Sequence, residues 1–527
     1  MPARPVPSAS RYPLTVHCTV PSGVCSARAI GSAATLTTLE SSMDSSGPAS
    51  SAYWTTTLPA RGPASGTRRR GAGVVISYAL LAGPLLSMLD SSVVNVAAEP
   101  VARALHASLG TVQWTVSGYL LALGTGLAGT AYLARRYGTL PVYRASIVVF
   151  TVASALCALS PDAAALIGFR AVQGLVAAPL VPLAMSMLLG KSGGARSMSP
   201  VAGILLFAAP AFGPTVGGAL IGAGGWRLIF AINVPFGVLA WWAAKRLPRG
   251  VSTVRSDERT EFDFYGLAML AAGVTLVLFG TSQGGTDGWD AAACWGPLAA
   301  GAALLAGYVR WAAGRAQPAL DLSLARQPAA ALSMGLCALA AVVTWAAVFL
   351  LPVFVQTAQG RSALAAGVAL APQGVITGVS TALGPRALTR FTVRATVCAG
   401  FAVLGLGSLL LLTVGAGTPL WLISLILAVR SVSIGLVISP LLTALTGPLP
   451  PRRMGDASTL FNVVNRMAGS FGIGLLASLY AVRARSGGGP VGALHVTGVV
   501  IACVAGAGAV AAVLLPAVRN TSVLENE

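Results

Sequence analysis

The sequence predicts an all-α polytopic membrane protein with fourteen transmembrane helices, and three observations lead to this fold class. The 527-residue chain is 55% hydrophobic and 9% charged, whereas soluble proteins carry about 25% charged residues. Its apolar residues fall in runs of about 20, the length at which a helix spans a bilayer. The net charge of +19 is divided among short basic clusters between the runs, which is typical of cytoplasmic loops rather than of a nucleic-acid-binding surface.

The chain begins with a polar segment and continues with the apolar runs. Residues 1–70 are rich in Ser, Thr, Ala, Pro and Arg and are predicted to be disordered. A translation start further downstream is an open alternative. Fourteen candidate spans follow, at 73–97, 111–132, 142–160, 163–188, 199–221, 227–245, 264–282, 294–313, 329–355, 363–385, 395–415, 419–446, 457–480 and 493–516.

The basic residues predict the orientation of these spans. If the N-terminus is cytoplasmic, nineteen Lys and Arg residues fall in the inner loops and the C-terminal tail, and only five fall outside. Cytoplasmic loops of membrane proteins carry an excess of Lys and Arg. We therefore expect both termini to be cytoplasmic, in a multi-pass protein of the cell membrane surrounded by the lipid bilayer.

Asp90 is the only one of the fifteen acids that lies deep in an apolar run, in the segment 71–98. An ionisable group at that depth costs at least a few kcal/mol, so it is a functional candidate. Arg170 in span 4 lies at a similar depth, about 10 Å below the same membrane surface at 1.5 Å per residue. Opposite charges at matched depth are expected to pair, either as a proton-dependent switch or as a fixed structural ion pair.

Other polar and small residues within the spans suggest how the helices pack and what they bind. Span 5 carries Gly213-Pro214-x-x-Gly217-Gly218, which predicts a kinked helix in close contact with its neighbours.

Arg430 and Arg466 lie near the middle of spans 12 and 13. We expect a cavity that tolerates neutral or anionic amphiphiles better than dications. The alternative is that both arginines pair with helix carbonyls and with polar neighbours such as Asn462 or Asn465.

Nucleotide and metal chemistry are not expected, and the chain is not predicted to be an enzyme. Gly190-Lys191-Ser192 resembles the end of a phosphate-binding loop, but Met185 occupies the position of its first glycine and no strand precedes it. The seven cysteines show no repeated spacing, so neither a disulfide framework nor a zinc site is predicted. No cofactor is expected.

Two short segments, LARRYG at 133–138 and LTRFT at 388–392, resemble each other weakly and agree with two related halves. Six groups of residues then follow one another along the chain. They are Leu89-Asp90-x4-Asn95 in span 1, Arg170-x2-Gln173-Gly174 in span 4, the span-5 Gly-Pro motif, Trp226-Arg227-x5-Asn233-x-Pro235 in span 6, Asp263-x2-Gly266 before span 7, and Pro352-x3-Gln356 with Gly360, Gly367 and Pro372 in spans 9 and 10. Taken in this order, the six groups resemble the motifs of the fourteen-span drug:proton antiporters of the major facilitator superfamily, the EmrB/QacA type.

The resemblance implies a fold, a domain order and a site. It implies an N-terminal six-helix bundle at 71–246, an inserted hairpin at 247–326, a C-terminal six-helix bundle at 327–517 and a cytoplasmic tail at 518–527. Asp90 and Arg170 would serve proton coupling, and 213–218 would be the antiporter motif. The candidate cavity residues are Asn95, Gln173, Gln356, Arg430, Asn462 and Arg466.

The sequence also departs from the family pattern. The inner gate loop between spans 2 and 3 normally carries an acid where this chain has Arg135, followed by Arg136 and Gly138. Span 10 lacks the acid that some relatives use for dicationic drugs, and Glu99 stands in place of an apolar residue at the outer mouth of span 1.

The expected function is export of a small amphipathic drug, antibiotic or toxic metabolite in exchange for protons, by a protein that acts as a monomer and binds no nucleic acid. A proton-coupled importer with the same fold is the second hypothesis. A non-transporting membrane sensor is the third.

Overall fold

The structure, a computed structural model, describes residues 66–190, 200–247, 262–286, 291–315 and 318–517, and this part of the chain contains helices and no strand. The tails predicted at 1–70 and 518–527 lie outside the described residues, except that the first helix already begins at Gly66. The basic turn at Lys191 lies outside them as well.

A helix lies at each of the fourteen predicted positions, and two of these helices are divided into two segments. The first six are α1 Gly66–Val93, α2 Trp114–Tyr137, α3 Thr139–Ala158, α4 Ala163–Ala177 with Leu180–Gly190, α5 Pro200–Gly224, and α6 Leu228–Ala231 with Asn233–Lys245. The remaining eight are α7 Phe264–Thr286, α8 Ala292–Ala313, α9 Pro328–Thr357, α10 Ala363–Arg390, α11 Val393–Leu409, α12 Leu420–Thr446, α13 Pro451–Arg483 and α14 Gly489–Ala512.

Length and composition confirm the polytopic fold class. Among the described residues, twelve segments are long and apolar enough to cross a membrane, and the last of them, Arg453–Ala512, covers both α13 and α14. These two helices are separated by a break at Ser486 and Gly487, where the glycine has φ +91°. Helix α5, with 25 residues and no charged side chain, occupies the remaining predicted position.

The helices pack as two groups of six, with α7 and α8 as an addition. In the first group α4 packs against α2 and α3, and α6 packs against α3; in the second, α12 packs against α10 and α11, and α9 against α13. The groups meet where α5 contacts α10 and where α2 contacts α13. Helix α7 contacts both α2 and α13, whereas α8 packs on α7 and on the turn Leu322–Arg326. Helix α8 is therefore peripheral to the contact between the groups, whereas α7 lies against both sides of it.

Pro84 interrupts α1, and a tyrosine from α3 repairs the interruption. Proline has no N–H, so the carbonyl of Leu80, four residues earlier, loses its helical partner. The Tyr143 hydroxyl donates to that carbonyl over 2.8 Å and accepts the Gly83 N–H over 3.1 Å. A Cβ at Gly83 would lie 2.7 Å from this hydroxyl, so the glycine before the proline makes room for the repair.

Asp263 ties together the two ends of the hairpin. Its carboxylate accepts hydrogen bonds from the Trp311 indole at 2.9 Å and from the backbone N–H groups of Gly266 and Ala319 at 2.9 and 3.0 Å. Burial raises the pKa of this carboxyl, but the hydrogen bonds outweigh burial, and the net effect is a lowered pKa. The motif recognised at the start of span 7 is thus a structural clamp on α7 and α8.

Candidate functional site

Asp90 and Arg170 form an ion pair inside the first group of helices. Nη1 of Arg170 lies 2.6 Å from Oδ2 of Asp90, and both residues are 1% exposed. Asp90 is near the C-terminal end of α1 and Arg170 is in the middle of the first segment of α4. The proximity expected from matched depth is therefore observed.

The other carboxylate oxygen of Asp90 is held by two amides. Asn233 Nδ2 donates to Oδ1 over 2.7 Å and Gln173 Nε2 donates to it over 3.1 Å. Three donors from α4 and α6 thus converge on one carboxylate. In the sequence, Asn233 stands out only as part of the span-6 motif. Nothing about an uncharged amide at the start of a helix segment predicts its contact with Asp90.

Arg170 is enclosed by further partners. Its Nε donates to the Thr115 carbonyl over 3.0 Å, and its Nη1 also donates to Gln173 Oε1 over 2.6 Å. The guanidinium lies 4.0 Å from the centre of the Tyr119 ring and 5.6 Å from that of Phe230. These contacts offset the cost of desolvating the Arg170 guanidinium. The site is a buried network in which each charge depends on the other.

Gln173 belongs to this network and not to the cavity lining for which it was a candidate. It is fully buried, and its Nε2 donates to Ser154 Oγ over 2.6 Å as well as to Asp90. Residues three apart lie on the same face of a helix. Because Gln173 follows Arg170 by three positions, the spacing alone could have assigned it to the ion pair.

A cavity of about 360 Å³ lies next to the ion pair, between the two groups of helices. Met88, Ser91, Ser92 and Asn95 of the first group line it, although Asp90, among them in sequence, faces the other way. Predicted cavity residues Asn462 and Arg466 line the opposite wall, where the Arg466 guanidinium lies 5.2 Å from the centre of the Trp345 ring. The described lining contains no acid.

Gln356 and Arg430, the two other candidates, lie outside this lining. Gln356 Nε2 donates to the Val96 carbonyl over 3.1 Å and to its own helix at Pro352. It therefore joins the end of α9 to the turn after α1. Arg430 lies beside a small side pocket, because the rotation of α12 turns it away from the main cavity.

The Gly-Pro motif of α5 lies where three helices meet. A Cβ at Gly213 would lie 2.5 Å from the Ser92 side chain, and one at Gly217 would lie 2.8 Å from the Val93 carbonyl of α1. A Cβ at Gly218 would lie 2.5 Å from the Ala363 carbonyl at the start of α10. Pro214 lines the cavity. The motif thus permits close contact of α5 with α1 and with the second group of helices.

The predicted gate loop follows α2. Arg135 and Arg136 are exposed, and none of the three ion pairs found among the described residues includes Arg135. Gly138 ends the helix with φ +92° and donates its N–H to the Ala134 carbonyl over 2.9 Å. Residues with a side chain rarely adopt this backbone conformation, so the position favours glycine.

Sequence comparisons agree with this architecture. The model of the Major Facilitator Superfamily matches residues 80–473. A multidrug resistance protein B homolog of Mycobacterium tuberculosis is 30% identical over 80% of this chain and 79% of its own length. The methylenomycin A resistance protein of Streptomyces coelicolor is 29% identical over 77% of this chain and 85% of its own.

A solved structure shares the fold. The nucleoside transporter NupG is 11% identical, covers 83% of this chain and 98% of its own, and superposes with a TM-score of 0.60. At this identity the likeness concerns the arrangement of helices alone.

Proposed function

The chain belongs to the major facilitator superfamily, and on that basis we propose that it exports a small amphipathic drug, antibiotic or toxic metabolite through the cell membrane in exchange for protons. The names of two relatives, a multidrug resistance protein and an antibiotic resistance protein, support export of such compounds. The chain is a multi-pass membrane transporter and not an enzyme. Its substrate is a small molecule bound between the two groups of helices.

The observation that carries the proposal is the sealed pair of Asp90 and Arg170 beside the cavity. Ser91 and Ser92 line the cavity while Asp90 is 1% exposed. Protonation of Asp90 would remove the charge that neutralises Arg170, and a buried unpaired guanidinium is costly. Protonation therefore favours a movement of α1 relative to α4 that brings Arg170 water or another partner. Proton uptake and helix movement are coupled in this way.

The close contacts of α5 support a coupled movement of the two groups of helices. Such coupling is what exchange of substrate for protons requires. Gly213 and Gly217 hold α5 against α1, and Gly218 holds it against α10. A displacement of α1 on protonation is thus transmitted directly to the second group. We propose a rocking movement of a bundle at 71–246 against one at 327–517, with 247–326 as an inserted hairpin.

Topology completes the proposal. The excess of Lys and Arg in one set of loops supports cytoplasmic N- and C-termini. With this orientation, the end of α1 and its contact with Gln356 lie toward the outside. We further propose that the protein acts as a monomer in the bilayer, without a nucleic-acid partner.

Transport in cells tests the proposal and its two alternatives. The intact protein, Asp90→Asn and Arg170→Ala would be produced in a host lacking its own exporters, and accumulation of a panel of amphipathic antibiotics would be measured with and without an uncoupler. Asp162→Asn is a matched control, because Asp162 is an exposed cap of α4 whose bond to the Ala165 N–H asparagine can replace. We expect uncoupler-sensitive reduction of accumulation by the intact protein and the control only. Raised accumulation would indicate an importer, and unchanged accumulation a sensor.

A further inference from the structure

Arg430 is a buried cation without a partner in the described part of the protein. It is 5% exposed, its Nε has no hydrogen-bond partner, and the described residues provide no acid within ion-pair distance of its guanidinium. Gly407 of α11 lies directly against its aliphatic stem. A buried charge in this condition carries the full cost of desolvation. Its retention in the second group of helices points to a counter-charge that arrives from outside the chain.

The position of Arg430 parallels that of Arg170. Helix α4 is the fourth helix of the first group and α12 is the fourth of the second, and each carries one of the two arginines. Arg170 faces Asp90 of α1, the first helix of its group. The pocket beside Arg430 is lined by Thr344 of α9, the first helix of the second group. Helix α9 therefore presents a threonine, and not a carboxylate, to the pocket beside Arg430.

The pocket beside Arg430 continues into the main cavity. The small pocket and the main cavity share three lining residues, Thr344, Gln373 and Ile434. Gln373 Oε1 is buried without a partner, and rotation of this amide would turn its NH₂ group toward an anion instead. Trp345 offers an aromatic surface in the adjoining cavity, where Arg466 is a second cation.

Resting on the proposed function, we infer that the pocket beside Arg430 is an anion subsite and that the protein takes monoanionic amphiphiles with a carboxylate. The pocket has a volume of about 10 Å³, room for one oxygen-sized group. One carboxylate oxygen enters it from the main cavity and accepts a hydrogen bond from the Arg430 guanidinium, as Asp90 Oδ2 accepts one from Arg170. The rest of the carboxylate and the apolar body lie in the main cavity, along Trp345 and Ile434.

Binding of three naphthalene probes to the purified protein tests this inference. 2-Naphthoate, 2-naphthamide and 2-naphthamidine share one ring and carry charges of −1, 0 and +1. Affinities would be measured by equilibrium dialysis for the intact protein, Arg430→Gln, Arg430→Lys and Arg310→Gln. Arg310 is an exposed arginine of the peripheral helix α8 and is the matched control. Thermal unfolding of each variant would establish that it is folded.

We expect the intact protein and Arg310→Gln to bind naphthoate at least about tenfold more tightly than naphthamide, and naphthamidine most weakly. Arg430→Gln should lose this preference while keeping its affinity for naphthamide, and Arg430→Lys should retain part of it. Arg430→Gln removes an unpaired buried charge. The melting temperature of this variant should therefore equal or exceed that of the intact protein.

Three results would overturn the inference. The first is that the intact protein does not bind naphthoate, or does not prefer it to naphthamide. The second is an unchanged preference for naphthoate in Arg430→Gln. The third is protection by sodium chloride alone: if chloride, compared with gluconate, stabilises the intact protein and naphthoate adds nothing, the pocket takes a free inorganic anion. Failure of the proposed function would look different, since transport would then be absent for all three probes even where binding prefers naphthoate.

Discussion

Asn233 of α6 donates a hydrogen bond of 2.7 Å to Oδ1 of Asp90, so the carboxylate at the centre of the candidate site is held by helices on two sides. Arg170 and Gln173 approach from α4, and Asn233 approaches from the start of the second segment of α6. The hydrogen bonds of Asp90 thereby depend on the relative position of three helices.

Replacement of Asn233 by Ala should destabilise the protein and impair transport. The buried Oδ1 would lose its shortest hydrogen bond, which costs about 1–3 kcal/mol. Thermal unfolding in detergent and the accumulation assay would both be measured. Unchanged stability and unchanged transport together would contradict the assigned contact.

Replacement of Tyr143 by Phe should lower stability without altering any cavity residue. The carbonyl of Leu80 and the N–H of Gly83 would both lose their partner in a buried part of α1, at a cost of about 1–3 kcal/mol. Tyr137→Phe is the control, since Tyr137 is exposed at the end of α2. If both variants melt at the same temperature, Tyr143 does not support the proline kink.

Replacement of Gly217 by Val should abolish transport, because the added atoms would meet the backbone of Val93 and separate α5 from α1. Gly222→Val in the same helix is a matched control, since no atom lies within 4 Å of a Cβ at that position. Transport and the amount of folded protein in the membrane would be compared. Equal transport by both variants would show that the close contact is dispensable.

Asp263 should make stability depend on pH at the acidic end. Its pKa is lowered in the folded protein, so the stabilisation is fully present above the ordinary aspartate pKa of about 3.9 and is lost as the pH falls through the lowered folded value. Asp263→Asn should be less stable than the intact protein at pH 7 and should approach it below about pH 4. Melting curves between these pH values would reveal the difference, and parallel curves would contradict the clamp.

Sequence reasoning identified the charged and helical parts of this molecule and missed the uncharged ones. The apolar runs predict helices because length and composition alone decide what can cross a bilayer, and Asp90 and Arg170 are visible because a charge there is expensive. Asn233, Ser154 and Tyr119 carry no comparable cost, so nothing in the sequence assigns them to the ion pair.

The sequence also does not predict how each helix is rotated about its own axis. Helix α12 is apolar nearly all round, so its sequence does not indicate which face meets the cavity, and Arg430 lies in a side pocket instead. Gln356 likewise faces the turn after α1. In a soluble helix a polar face would have predicted these orientations.

Proton release on substrate binding shows whether Asp90 carries the exchanged proton. A substrate identified in the accumulation assay would be added to purified protein in weakly buffered detergent with a pH indicator, over a series of starting pH values, for the intact protein, Asp90→Asn and Asp162→Asn. Ionised Asp90 paired with Arg170 has no proton to give, so we expect the intact protein and Asp162→Asn to release protons only toward the acidic end of the series, where protonation has opened the pair. Asp90→Asn should bind substrate and release none, and equal proton release by Asp90→Asn would contradict this role of Asp90.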